Sequence, residues 1–310
     1  MRALITGIGG FVGGHLANLL RQEGFDVCGI DRRPVSAGVA ASTIATELGD
    51  ICDPSFTNRV VRDFQPTHAF HFAWEFDQNR PGGADAANRN VLGVSVLLKA
   101  IGMSAREARV VIASSSAVYG APERQPIDEE APLKPTTSYG ASKVAIEAAA
   151  ASFRSAHGLN IVVTRTFNVL GPGMPRRLFA GSLAEQIAAA EHDGSRTIEV
   201  GRLDSSRDYI DVRDAARAYL ALASQPTHEH SVFNVCSGVS RSSQELADQM
   251  LAQAKVSVKL VHHDSRMQTG DVDYQQGSAA RLQRTTGWTP TIAFSTSVCD
   301  TLARARTRAG

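Results

Sequence analysis

The stretch "LITGIGGFVGGHL", Leu4 to Leu16, decides the fold. An apolar run, Arg2 to Thr6, enters it as a strand, and a helical pattern over 11–23 leaves it. Gly7 permits the tight turn between them. Gly10 lets the backbone approach a pyrophosphate, and Gly13 lets the helix pack closely on the strand. The helix N-terminus, with Phe11 and Val12 in its first turn, then faces the anion. A glycine triplet alone is weak, but a strand before it and a helix after it are the context the motif demands. The next strand, "DVCGID", ends on Asp31, where a carboxylate would accept a hydrogen bond from a ribose hydroxyl. That favours NAD, because the charge repels a 2′-phosphate. Arg32 and Arg33 follow at once and could bind such a phosphate, so NADP stays open. Asp50 and Ile51, after a third strand, stand where an adenine would lie.

Beyond this point strands and helices alternate. "HAFHFA" is a strand and 86–103 a long helix. "RVVIAS" is a strand, 138–156 a helix and "NIVVTRTFN" a strand. This order means right-handed βαβ units and a Rossmann-type, doubly wound parallel α/β sheet. After about residue 170 Gly and Pro cluster and the rhythm loosens. The expected division is a dinucleotide-binding domain over 1–167, rejoined by about 207–236, and a smaller substrate-binding region over 168–310. That tail holds a helix at 181–192, a strand at 197–201, a strand-to-helix unit at 207–224, a helix at 242–254 and a polar stretch to residue 280.

The 310 residues balance 32 Lys and Arg against 31 Asp and Glu, so no field draws the chain to nucleic acid or to a membrane. Four scattered cysteines have no zinc or disulfide spacing, and no metal site is expected. No apolar run reaches membrane-helix length. The first residues start a strand and leave no room for a signal peptide, so the expected location is the cytoplasm.

"SSSAVYG", Ser114 to Gly120, ends a strand with three hydroxyls and a tyrosine. "TTSYGASK" places Tyr139 and Lys143 four residues apart, on one helix face. A nearby ammonium should lower the phenol pKa toward the working pH, and a strand-end serine could orient a carbonyl or alcohol. That is acid/base machinery suited to hydride transfer. Tyr119 is the rival phenol, but position 123 is Glu123 and it has no lysine four residues on. His71, on an apolar strand, reads as a packed residue.

Together "TGIGGFVG", "HFA", "NRNVLG", "SSSAVYG", "YGASK", "RTFNVLGPG", "RDYIDVRDAARAY", "NVCSG" and "TGWTP" resemble the extended short-chain dehydrogenase/reductase superfamily, over nearly the whole chain. Within it they are most similar to the nucleotide-sugar epimerase/dehydratase group. The later half is close to the GDP-4-keto-6-deoxymannose reductases and GDP-mannose dehydratases. The resemblance implies that Ser115, Tyr139 and Lys143 are catalytic. It extends cofactor contacts to Phe72, Ala73, Asn90 and Ala113, and puts Lys143 on the nicotinamide ribose. It places Ser115, Ser116, Asn168 and Arg207 at the substrate, with Arg207 on its diphosphate; Trp74 would put a large ring near it, and Arg176 lies in a Gly/Pro-rich loop that could cover it. It also implies a homodimer through the helices at 86–103 and 139–156.

Three departures stand out. Dehydratases and decarboxylases of the group commonly carry an acid where this chain has Ala117, which leaves epimerisation or plain reduction. An expected arginine three before an aspartate is Gln268 before Asp271, with Arg266 nearby. "HFAWEF" puts Trp74 where a small residue is usual. The substrate is therefore a nucleotide sugar or, with the same chemistry, a small hydroxy or keto acid.

Overall fold

The computed structural model describes residues 1–35, 44–75, 83–225, 229–263 and 272–309. Gln268, Asp271 and Arg266 lie outside them. The first half runs β1 (Arg2–Thr6), α1 (Phe11–Gln22), β2 (Asp26–Asp31), β3 (Ala45–Leu48), α2 (Pro54–Phe64), β4 (His68–His71), α3 (Gly83–Ser104), β5 (Arg109–Ser115), α4 (Ser138–His157) and β6 (Asn160–Thr166). A single 3₁₀ turn, Ser116–Tyr119, follows β5. Helix ends follow local chemistry. Asp53 caps α2 by accepting from the Ser55 and Phe56 amides, with Pro54 at the first helical position. Thr137 caps α4 through the Gly140 amide, 3.1 Å away, and Gly158 closes it in the left-handed region.

The second half runs β7 (Asn168–Leu170), α5 (Phe179–Asp193), β8 (Thr197–Val200), β9 (Ser206–Asp211), α6 (Val212–Ser224), β10 (Val232–Val235), β11 (Ser240–Ser242), α7 (Ser243–Leu251), β12 (Lys259–His262), α8 (Ala280–Thr286) and α9 (Phe294–Ala309). Seven strands form one sheet in the order β10-β6-β5-β4-β1-β2-β3, every described pair parallel. This is the doubly wound order with one strand added, and the strand order reverses between β1 and β4, where such sheets bind ligands.

Strand alternation splits the core into two layers. Ala3, Ile5, Phe70, Val111 and Val162 pack with Leu16, Leu20 and Tyr219 on the α1 and α6 side. Leu4, Ala69, Val110, Ile112 and Ile161 pack with Leu97, Ile101 and Ile146 on the other. Both faces being buried explains why these strands read as continuous apolar runs.

Two expectations are corrected here. The strand over 160–168 is two strands. Phe167 breaks it, its amide donating to Val235 O at 2.9 Å, and β7 leaves to pair with β9. The strand written as "HAFHFA" ends at His71, so Phe72 and Ala73 lie in the loop beyond it. The smaller lobe is built on the β11-β9-β7 sheet and on α5, α7 and α9, whose Leu183, Ile187, Leu246, Val298 and Leu302 form its core. No described helix is long and apolar enough to cross a membrane.

Candidate active site

The glycine loop is built as its sequence requires. Gly7 has φ +73°, and a Cβ there would sit 2.6 Å from Phe72 O. A Cβ on Gly13 would overlap Gly7 O. The Gly7 amide donates to Ile30 O at 2.8 Å and holds the turn against β2. No side chain caps α1 at Gly10, so its first amides are left for an anion. The Gly9 amide donates to Asp31 Oδ2 at 3.0 Å, and Asp31 Oδ1 accepts from the Arg33 amide at 3.2 Å. Asp31 therefore also ties the end of β2 to the glycine loop.

A cleft of about 330 Å³ opens over this loop. Gly7, Gly10, Asp31, Arg32, Asp50, Ile51, Phe72, Ala73, Trp74 and Asn90 all line it. Phe11, Val12, Gly13, Ala113, Tyr139 and Lys143 do not. Phe11 packs toward the smaller lobe, edge-on to His15 at 5.6 Å, and Val12 packs into the core. Asn90 is buried and holds the chain at Glu75, accepting from its amide at 2.8 Å and donating to its carbonyl at 3.1 Å. Sequence reasoning missed the ionic chain along one wall. Arg32 pairs with Glu75 at 2.5 Å, Glu75 with Arg89 at 2.7 Å, and Arg89 with Asp50 at 2.6 Å. Nothing local marks Glu75 or Arg89, because their partners come from parts of the chain distant in sequence.

Beyond the cleft lie the three residues of the expected relay. Ser115 ends β5, and its hydroxyl hydrogen-bonds the Tyr139 phenol and accepts from the Ala117 amide at 3.2 Å. Tyr139 and Lys143 share one face of α4, with the Lys143 ammonium 5.5 Å from the phenol ring centre. Lys143 is fully buried and donates to Ala113 O at 2.9 Å. The expected depression of the Tyr139 pKa is not found. Burial raises it, and the Ser115 hydrogen bond and the Arg177 charge oppose this only in part. Burial likewise pulls the Lys143 pKa well below its ordinary value, against the pull of Glu147.

Tyr119 is held by buried partners. Its hydroxyl donates to Asn234 Oδ1 at 2.7 Å and accepts from Arg165 Nη1 at 3.1 Å, all of it buried. Arg165 also meets Glu147 at 2.8 Å, and Glu147 accepts from Ser114 at 2.5 Å. This network fixes α4 against β5 and β6, one turn beyond Lys143. Ser114 belongs to it, while Ser116 donates to the buried Gln275 at 3.1 Å. Asn168 stands on β7 in register with Tyr209. Arg207 is buried on β9, donating to Ser206 O at 2.9 Å. Arg176 is exposed, and it is Arg177 whose charge reaches Tyr139. Trp74 lies at the cofactor cleft, over Lys143 and 4.6 Å from the His71 ring. Among the described residues, no cluster of His, Cys, Asp or Glu could hold a metal ion.

A glycine loop at the switch point of a doubly wound sheet, with a Ser-Tyr-Lys constellation beside it, defines an extended short-chain dehydrogenase/reductase. The chain belongs to the GDP-mannose 4,6-dehydratase family, whose model matches residues 4–301. It is 35% identical over 212 residues, 67% of this chain and 69% of the other, to the GDP-6-deoxy-D-mannose reductase of Pseudomonas aeruginosa. Its fold matches the structure of RMD from Pseudomonas aeruginosa complexed with NADPH, with a TM-score of 0.83, 29% identity and 99% of both chains covered. It also matches the UDP-glucose 4-epimerase of Thermus thermophilus in complex with NAD, with a TM-score of 0.85, 27% identity and 99% of both chains covered.

Proposed function

We propose that this enzyme is an NAD(P)-dependent, oxidoreductive epimerase of a nucleotide-linked sugar. One observation carries the reading. Ser115, Tyr139 and Lys143 converge beside a dinucleotide cradle, with Ala117 where elimination would need an acid. The cradle fits a dinucleotide, since its helix start is uncapped and Gly7 and Gly13 bring the backbone so close together that no side chain could fill the turn. A dinucleotide held there would supply a hydride acceptor and donor for the sugar carbon.

In this reading Ser115 holds the reacting sugar oxygen next to the Tyr139 phenol. Tyr139 takes the hydroxyl proton as the carbon is oxidised and returns it on reduction. Tyr139 can take the proton only as its phenolate, and in the ligand-free protein burial holds its pKa up against the Ser115 hydrogen bond and the Arg177 charge. Lys143 would hold the nicotinamide ribose, and Arg207 the diphosphate, where a guanidinium fork suits two phosphates. Exposed Leu92 and Met103 on α3 support pairing of two copies through α3 and α4.

A second reading, net reduction of a 4-keto-6-deoxy sugar nucleotide, is favoured by Arg32 lining the cleft beside Asp31, where it could meet a 2′-phosphate. Cofactor retention separates the two. An epimerase purifies with bound NAD and turns over without added cofactor. A reductase oxidises one NAD(P)H per product. Assay against GDP-, UDP-, CDP- and dTDP-linked hexoses, with calorimetry on the bare nucleotides, tests both. Failure of every nucleotide to bind would rule out a nucleotide-sugar substrate and leave the small hydroxy or keto acid.

A further inference from the structure

Trp74 lines the cleft together with Asp31, Phe72 and Ala73, whereas His71 and Lys143 do not line it. Behind Trp74 lies Lys143, its ammonium 2.9 Å from the centre of the indole ring and its remaining hydrogen bond on Ala113 O. The same indole meets the ring of His71 at 82°. His71 is fully buried, its Nδ1 is bonded to the Thr6 hydroxyl at 2.7 Å, and its Nε2 has no hydrogen-bond partner. The indole thus covers two buried polar groups that do not line the cleft, one an ammonium and one an unsatisfied nitrogen. A buried ammonium against an aromatic face is an attractive contact, stronger for being desolvated. Trp74 sits in the loop after β4, outside any strand or helix, where a side chain can turn without breaking a ladder.

We propose that Trp74 is a gate and positioning residue. Its indole holds Lys143 in the ligand-free enzyme, and the arriving nicotinamide riboside must displace it to reach the ammonium. This rests on the dinucleotide reading above. The contact to the ring is lost when the gate opens, and a ribose hydroxyl takes the place of the ring at Lys143. Dinucleotide affinity is therefore lowered by the fraction of enzyme whose gate is closed. The residue acts through Lys143 and touches no reacting atom.

The chain has two tryptophans, and the other, Trp288, is buried with its Nε1 on Asp214 O at 3.1 Å. Indole emission that responds to dinucleotide therefore reports Trp74. The full chain, Trp74→Phe and Trp74→Ala are titrated with NAD⁺ and with NADP⁺, following emission and, separately, calorimetry. The gate predicts a clear emission change in the wild type that is lost in Trp74→Phe although binding persists. It predicts binding about 10-fold tighter in Trp74→Ala, as when a competing contact of that size is removed. If Trp74→Ala does not fold, Trp74→Phe decides, with binding about threefold tighter expected from its weaker ring contact. Binding with silent emission overturns the gate. So does unchanged or weaker binding in the variants, which would make the indole a stacking platform for the cofactor. Absence of binding to the wild type by calorimetry overturns the dinucleotide reading as well, and so marks that failure apart.

Discussion

Two phenols compete for the role of acid/base, and replacing each by phenylalanine should produce opposite phenotypes. Tyr139→Phe removes one hydroxyl bonded to Ser115, at a half-buried position. The stability lost is that of a single neutral hydrogen bond, about 1 kcal/mol. Turnover should fall by about 10²-fold or more, because the proton carrier is gone, while dinucleotide affinity holds. Tyr119→Phe strips a buried donor from Asn234 and a buried acceptor from Arg165. The neutral bond contributes about 1 kcal/mol and the one to a charged partner about 1.5–3, so roughly 2–4 kcal/mol of stability should go. Arg165 keeps Glu147 and Glu129 O as partners, which holds the cost toward the lower end. Below the shifted unfolding midpoint its turnover should stay within a few-fold of wild type. Urea unfolding, calorimetry with NAD⁺ and turnover of the accepted sugar nucleotide measure all three quantities. The assignment is refuted if Tyr139→Phe keeps more than half its turnover, or if Tyr119→Phe is inactive with an unchanged unfolding midpoint.

Glu147→Gln leaves the buried Arg165 cation without its counter-charge and should cost about 3–5 kcal/mol, against under 1 for Glu47→Gln, whose pair with Arg59 is exposed; similar losses in urea would show the network is not load-sharing. Gly13→Ala forces a methyl onto Gly7 O, so calorimetry should show dinucleotide affinity falling by about 10-fold or more with about 1–3 kcal/mol of stability; unaltered binding would refute the cradle. His71 has its pKa lowered to about 3 by burial and then by the Lys143 charge. The unfolded chain takes up that proton below about pH 6.5 and the native state does not. Stability is therefore full above pH 6.5 and falls toward pH 3 by about 1.4 kcal/mol per unit; urea midpoints of His71→Gln should lack that slope, and equal slopes would refute it.

What the chain's order of residues determined by itself is local. The glycine loop is legible because Gly7 and Gly13 are demanded by backbone contacts within a few residues or with the adjoining strand. The alternation of buried strands and amphipathic helices followed from periodicity, and with it the parallel sheet. Tyr139 and Lys143 were legible because one helix turn fixes their relation. The choice between Tyr119 and Tyr139 also needed partners 46 and 115 residues away, which only the packed sheet brings to Tyr119. The break at Phe167 depended on β10 coming alongside, and α9 on the apolar face of α5 it covers. The Tyr139 pKa is raised rather than lowered because burial outweighs the Ser115 hydrogen bond and the Arg177 charge, and burial is a property of the whole fold. Trp74 was visible in the sequence as an odd residue near a site. That its ring lies across Lys143 was decided by tertiary structure alone, since β4 and α4 meet only once the sheet has formed.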